Sequence, residues 1–173
     1  MQRRKTVFAI ALLFLTGSFA FSQKVRVDYD HNTKFSNYKT FSWIKEPATP
    51  NDPLMKQRII DGINAQLMAR GLRRVDSNGD LAVSVNVATQ EKQTLNTFYD
   101  GFGPWGWGMG GVATTVETYT EGTIVADLFD TQTKNVVWRG VATKDISSKP
   151  SKVTREVDKA IEKLFKDYPP KGV

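Results

Sequence analysis

The sequence contains no cysteine and a single histidine, His31. Without cysteine there is no disulfide, no thiol nucleophile and no thiolate metal site. A lipobox also needs cysteine, so the chain is expected not to be lipid-anchored. His31 has no second histidine with which to share a metal. A Ser/His/Asp triad would have to use it, yet no G-x-S-x-G elbow is present. His31 sits in the turn-like His31-Asn-Thr33, so an exposed histidine is expected. Long apolar runs are also lacking after the first residues, which argues against a membrane-spanning helix. A basic stripe of one sign is missing too. Lys149, Lys152, Arg155, Lys159, Lys163 and Lys166 alternate with Glu156, Asp158, Glu162 and Asp167. This mixture reads as a solvated helix face and argues against a nucleic-acid partner.

What is present begins with an address. Arg3, Arg4 and Lys5 precede an apolar run from Val7 to Leu15, and Ala20-Phe-Ser22 follows. Basic start, short apolar region and small residues in that order are the signature of a secretory signal peptide. Residues 1–22 are read as that leader, with cleavage near Ser22. The leader holds three bases and no acid, so its removal lowers the net charge from +6 to +3. The remaining residues 23–173 suit one domain. An exported, periplasmic or cell-envelope protein, soluble after cleavage, is expected.

Along that domain, Lys24 to Asp30 alternates apolar and polar residues as a half-buried strand does. A second strand follows from Tyr38 to Ile44, with Phe41 and Trp43 on one face. Glu46 to Pro53 holds three prolines and leads into a helix. Asp52 suits its N-cap and Pro53 its first position. Met55, Ile59, Ile63 and Leu67, with Ile60, form one apolar helical face, and Gly71 ends the helix. Leu81, Val83, Val85 and Val87 alternate with smaller or polar residues as another strand. Thr123 to Phe129 and Val136 to Val141 read as a hairpin around the turn formers Asp130 to Asn135, its first strand beginning near Thr114. A last helix carries Val153, Val157, Ala160, Ile161, Leu164 and Phe165 at helical spacing, and Pro169-Pro170 stops it. The order ββαβββα predicts a two-layer α+β domain. Its sheet is expected to be antiparallel, of about five strands, with two helices on one face.

Chemistry-bearing patterns are few. Gly101-Phe-Gly-Pro-Trp-Gly106 matches G-x-G-x-x-G literally. However, Pro104 removes an N–H, two tryptophans crowd the approach and no helix follows, so no dinucleotide site is expected. Asp28-Tyr-Asp-His-Asn32 opens like a calcium loop but places Thr33 and Lys39 where glycine and glutamate are needed. No cofactor and no metal are therefore expected. Glu117, Glu121, Asp127 and Asp130 lie close in sequence, and a hydrolase using such carboxylates is one reading. Strand faces and turn capping are the reading preferred for these residues, and an enzyme is not expected.

One stretch stands apart. Residues 98–112 form a glycine-rich loop, Phe98-Tyr-Asp-Gly-Phe-Gly-Pro-Trp-Gly-Trp-Gly-Met-Gly-Gly-Val112. Phe102, Trp105, Trp107 and Met109 are its contact candidates. Apolar and aromatic side chains beside glycine suit an apolar partner or a membrane interface, and equally a loop that folds its aromatics back over the sheet. The partner is expected to be another envelope protein, or alternatively the membrane surface or a lipid-like ligand. The sequence leaves the oligomeric state open.

Several short motifs recur in an order that resembles a known family. They are Val27-Asp-Tyr-Asp30, Phe35 to Trp43, Leu67-Met-Ala-Arg-Gly-Leu72 and Asp80-Leu-Ala-Val83. Gly122-Thr-Ile-Val125, Val137-Trp-Arg-Gly140 and Tyr168-Pro-Pro170 complete the series. Together, from about Val25 to Pro170, they resemble the bacterial envelope proteins of the domain of unknown function 4136 family. The resemblance implies export and a glycine- and aromatic-rich segment before the hairpin. It implies no catalytic residues. Many members are lipoproteins, from which this chain departs by lacking the cysteine.

Overall fold

The computed structural model describes residues 24–49, 52–99, 112–147 and 149–170. Chain order is β1 (Lys24–Tyr29), a 3-10 turn (Phe35–Asn37), β2 (Thr40–Lys45), α1 (Pro53–Met68) and β3 (Arg73–Arg74). Then come β4 (Leu81–Tyr99), β5 (Val112–Asp130), β6 (Val136–Ile146) and α2 (Pro150–Leu164). The fold is the expected α+β class. The predicted leader, residues 1–22, lies outside the described residues.

The six strands form one sheet in the order β1-β6-β5-β4-β2-β3. The sheet is mixed, because β2 runs parallel to both β3 and β4. The reason is α1, which carries the chain from β2 to the same end of the sheet before it re-enters. The two-residue β3 supplies the sixth strand. All other pairs are antiparallel.

Local signals explain the boundaries. Asp52 Oδ1 accepts the Met55 N–H at 2.8 Å and caps α1. Gly71, at φ 86°, adopts the left-handed conformation that ends it. Asp130 Oδ1 accepts the N–H groups of Gln132 and Thr133, each at 2.8 Å, and so builds the β5–β6 turn. Its Oδ2 accepts the Tyr38 hydroxyl at 2.8 Å. Asp80 Oδ2 accepts the N–H groups of Lys39 and Thr40 at 2.8 and 2.9 Å. Two carboxylates thus fasten the start of β2 to the near ends of β4 and β5.

Both helices cover one sheet face. Phe41, Leu81, Val83, Val85, Ala126 and Leu128 meet Ile59, Ile63 and Leu67 of α1 and Ile161 and Leu164 of α2 in one buried cluster. Among the described residues its buried members run from Phe35 to Tyr168. Trp138 stacks on Phe165 with ring centroids 4.9 Å apart, and Tyr168 meets the Trp138 ring edge-on at 5.6 Å. Trp43 is only half-buried, and its Nε1–H donates to Asn64 Oδ1 at 2.9 Å. Arg70 ties the C-terminal ends of the two helices together. Its Nε donates to the Tyr168 carbonyl at 2.7 Å, and Nη2 donates to the Phe165 carbonyl.

The strand β6 passes close beneath α2 at Gly140. A Cβ there would lie 2.5 Å from Trp138 Cη2 and 2.7 Å from Leu164 Cδ1. Gly140→Val should therefore lower stability by about 1–3 kcal/mol through overpacking. A urea midpoint equal to that of the wild type would show that α2 has room to move.

Acid should weaken the β2 fastening. Asp80 and Asp130 are both held below the ordinary carboxylate range. The Lys39 N–H does this first for Asp80, and the Thr133 N–H for Asp130. Groups with lowered folded pKa stabilise the protein above their unfolded pKa of about 3.9, and lose that contribution as pH falls through the folded value. Thermal stability should drop as pH is taken below about 4. Asp80→Asn with Asp130→Asn should melt lower at neutral pH and show a shallower acid limb. An acid limb as steep as the wild type's would place the acid sensitivity elsewhere.

Candidate contact site

Beyond the helical layer, β4 and β5 continue where the other strands stop. Pairing of β2 with β4 ends at Ser84, and pairing of β6 with β5 ends at Thr120 opposite Ile146. The two strands remain paired with each other out to Tyr99 opposite Val112. From Glu91 to Tyr99 and from Val112 to Tyr119 they form a two-stranded ribbon. At ~3.3–3.4 Å per residue its length past the sheet is about 30 Å. Near its base the Lys92 ammonium pairs with Glu121 Oε1 at 2.5 Å, and this carboxylate raises the lysine's pKa. The ribbon's outer edges carry backbone N–H and C=O groups with no sheet partner among the described residues. Natural sheets usually cover or blunt such edges.

The alternation that marks this strand in the sequence ends near Val87, but the strand itself persists to Tyr99. Thr, Gln, Glu and Lys on a ribbon wet on both faces carry no alternation by which to recognise it.

At the foot of the ribbon lies a groove of about 440 Å³ between the N-terminal halves of the helices. Met55 and Ile59 of α1 form one wall, and Val153 and Val157 of α2 the other. Val87 and Ile124 belong to its floor. The groove closes where the helices come together at Gly62, whose Cβ would lie 3.0 Å from Ile161 Cδ1. At the mouth, Lys144 Nζ and Glu156 Oε1 pair at 3.3 Å. Asp52, also on the rim, is occupied in capping α1. The volume falls in the range of small-ligand sites, and the lining is chiefly apolar. Such a groove can hold an apolar group. Among the described residues its lining presents no nucleophile with an adjacent base.

The contact candidates Phe102, Trp105, Trp107 and Met109 lie outside the described residues. The ribbon nevertheless places the ends of their stretch, at Tyr99 and Val112. The four carboxylates do not converge. Glu117 is exposed on the ribbon, and Glu121 pairs with Lys92. Asp127 is buried on the face away from the helices, where Arg139 donates to it through Nε at 2.6 Å and Nη2 at 2.9 Å. That doubly bonded carboxylate raises the Arg139 pKa. Asp130 holds its turn. His31 is exposed and tilted against the Tyr29 ring, with centroids 4.4 Å apart. In the turn that looks like a calcium loop, Asp30 accepts the Asn32 N–H and the Thr33 hydroxyl. Among the described residues, no three acidic, histidine or cysteine side chains are placed to hold a metal.

The groove was not anticipated from the sequence. Its signal was present, however. Met55, Val153 and Val157 lie on the apolar helix faces yet are only half-buried. They reach past the point at which the two helices touch.

The fold has known counterparts. A PDZ domain protein from Parabacteroides distasonis is similar with TM-score 0.58 and 12% identity over 87% of this chain. This chain covers 37% of that protein's length. A DUF4136 family protein from Bacteroides thetaiotaomicron matches with TM-score 0.55 and 16% identity, over 85% of this chain and 96% of the other. The PelC dodecamer from Paraburkholderia phytofirmans matches with TM-score 0.51 and 16% identity, over 83% and 94% of the two chains. No curated protein matches the sequence. The family model for the domain of unknown function DUF4136 matches residues 25–170, and the chain belongs to that family.

Proposed function

We propose that this protein is a non-enzymatic component of the bacterial envelope that works by contact, through the stretch at the end of the ribbon. The observation that carries this reading is the projection of β4 and β5 past the sheet. A two-stranded ribbon alone is marginal in water, and its end, between Tyr99 and Val112, is where the stretch carrying Phe102, Trp105, Trp107 and Met109 joins the domain. Export by the predicted leader places that contact outside the cytoplasm. Among the described residues no helix is long and apolar enough to cross a membrane. The partner is then another envelope protein. Support for an assembling role comes from the similar PelC structure, which is a dodecamer. Its low identity makes the likeness one of fold.

Tryptophan fluorescence of the chain beginning at Gln23 tests this. The buried Trp138 and half-buried Trp43 provide the background, read from a Trp105→Ser, Trp107→Ser double variant. In the dilute protein, acrylamide should quench the two additional tryptophans efficiently. Phosphatidylglycerol and phosphatidylcholine vesicles should leave their emission unmoved. A blue shift with vesicles that the double variant lacks would assign the stretch to the membrane surface instead. Tryptophans shielded from acrylamide in the dilute chain would leave no free contact site, and the reading would fail.

A further inference from the structure

The groove and the ribbon lie on one molecule but cannot serve each other. The ribbon leaves the groove floor near Thr89 and ends at Tyr99, about ten residues and roughly 33 Å farther on. Residues 100–111 are anchored at both ends, at Tyr99 and Val112. Even fully extended, out and back, a stretch of about twelve residues reaches only ~20 Å from its anchors. The stretch therefore falls short of the groove of its own chain.

We propose that the groove between Met55 and Ile59 of α1 and Val153 and Val157 of α2 receives the glycine- and aromatic-rich stretch of a second copy. This rests on the contact reading above and names the partner. The chemistry matches on both sides. Val87 and Ile124 extend the apolar walls across the floor; on the rim Lys144 pairs with Glu156, Asp52 caps α1, and Asp145 is exposed to solvent. The stretch from Phe98 to Val112 contains a single charged residue, Asp100. Few charges are thus stripped of water when its aromatics enter. One buried tryptophan or phenylalanine removes ~150–250 Å² from water, an amount the groove can accept. The contact is head-to-tail: one copy offers its tip and the next its groove. Repetition of such a contact closes a ring or grows a filament, according to the rotation between copies.

The test uses the chain from Gln23 and two variants. One is Trp105→Ser with Trp107→Ser, which leaves the groove intact. The other is Val153→Glu with Val157→Glu, which leaves the tip intact and changes half-buried positions. Circular dichroism and thermal melts establish that both are folded. Sedimentation velocity should show the wild type growing beyond one chain as concentration rises, and each variant alone as a monomer. An equimolar mixture of the two variants should form a one-to-one pair and nothing larger, because each supplies what the other lacks.

A wild type that stays monomeric would overturn the proposal. So would a tip variant that still assembles, or a mixture that does not pair. If the groove variant does not fold, a synthetic peptide of residues 98–112 supplies the test. Titrated into the isotope-labelled tip variant, it should shift the methyl resonances of Met55, Ile59 and Ile124. Methyls that move with sodium laurate but not with the peptide would give the groove to an acyl chain and end the proposal. These failures leave the contact reading standing as long as Trp105 and Trp107 remain open to acrylamide in the dilute chain. Shielded tryptophans there would end both.

Discussion

The antiparallel pairing of β4 with β5 is the constraint on which the rest depends. Both strands are 19 residues long and stay in register from Leu81 opposite Asp130 to Tyr99 opposite Val112. A one-residue slip would turn either Val83 and Val85 or Ala126 and Leu128 out of the core, and bring Ser84 or Asp127 into it. The slip is blocked at the near end, where Asp80 and Asp130 bind β2 through Lys39, Thr40 and Tyr38. The Tyr38 hydroxyl has its pKa raised, first by burial and then by the hydrogen bond to Asp130. It therefore remains a donor throughout the neutral range. Everything beyond the sheet, including the position of the ribbon's end, follows from a register set at the opposite end of the same strands.

The groove has a different origin. Two helices lying on a twisted sheet follow different strands and therefore diverge. At their C-terminal ends Arg70 holds them together through the Tyr168 and Phe165 carbonyls, and at Gly62 the absence of a side chain lets Ile161 approach. On the other side of that crossing no hydrogen bond or ion pair joins α1 to α2 among the described residues. The apolar faces continue, however: Met55 on one helix, Val153 and Val157 on the other. A pair of helices serving only the core would have polar residues at these places.

The sequence made the elements legible wherever a period or a turn residue marked them. The alternation from Leu81 to Val87, the cap at Asp52, the left-handed Gly71 and the turn at Asp130 all reappear in the structure. Parallel pairing of β2 with β4 was not legible, because residues facing one side of a strand look the same whichever way the neighbour runs. The length of β4 was hidden for a related reason. Glu91 to Thr94 pair with β5 without burying a face, so nothing in their order distinguishes strand from loop. The carboxylates show the limit for function. Glu117, Glu121, Asp127 and Asp130 are near one another in the chain, yet each strand step separates them by over 3 Å. Three of them also engage neighbours that sequence distance does not reveal.

The course of β4 and β5 is what supports the proposed contact. A loop meant to cover the sheet would be joined to it by short connections, so that its side chains could reach the face they protect. Here the connections are strands, and they lead away. Among the described residues no helix covers a ribbon face and neither ribbon edge has a strand partner. Gly122, at the base, lets Ile146 lie across β5, and past that point the sheet narrows to β4 and β5 alone. Such a construction costs conformational entropy for every ordered residue. The proposed contact would repay that ordering by meeting, at the end of the ribbon, a surface outside the body of its own chain.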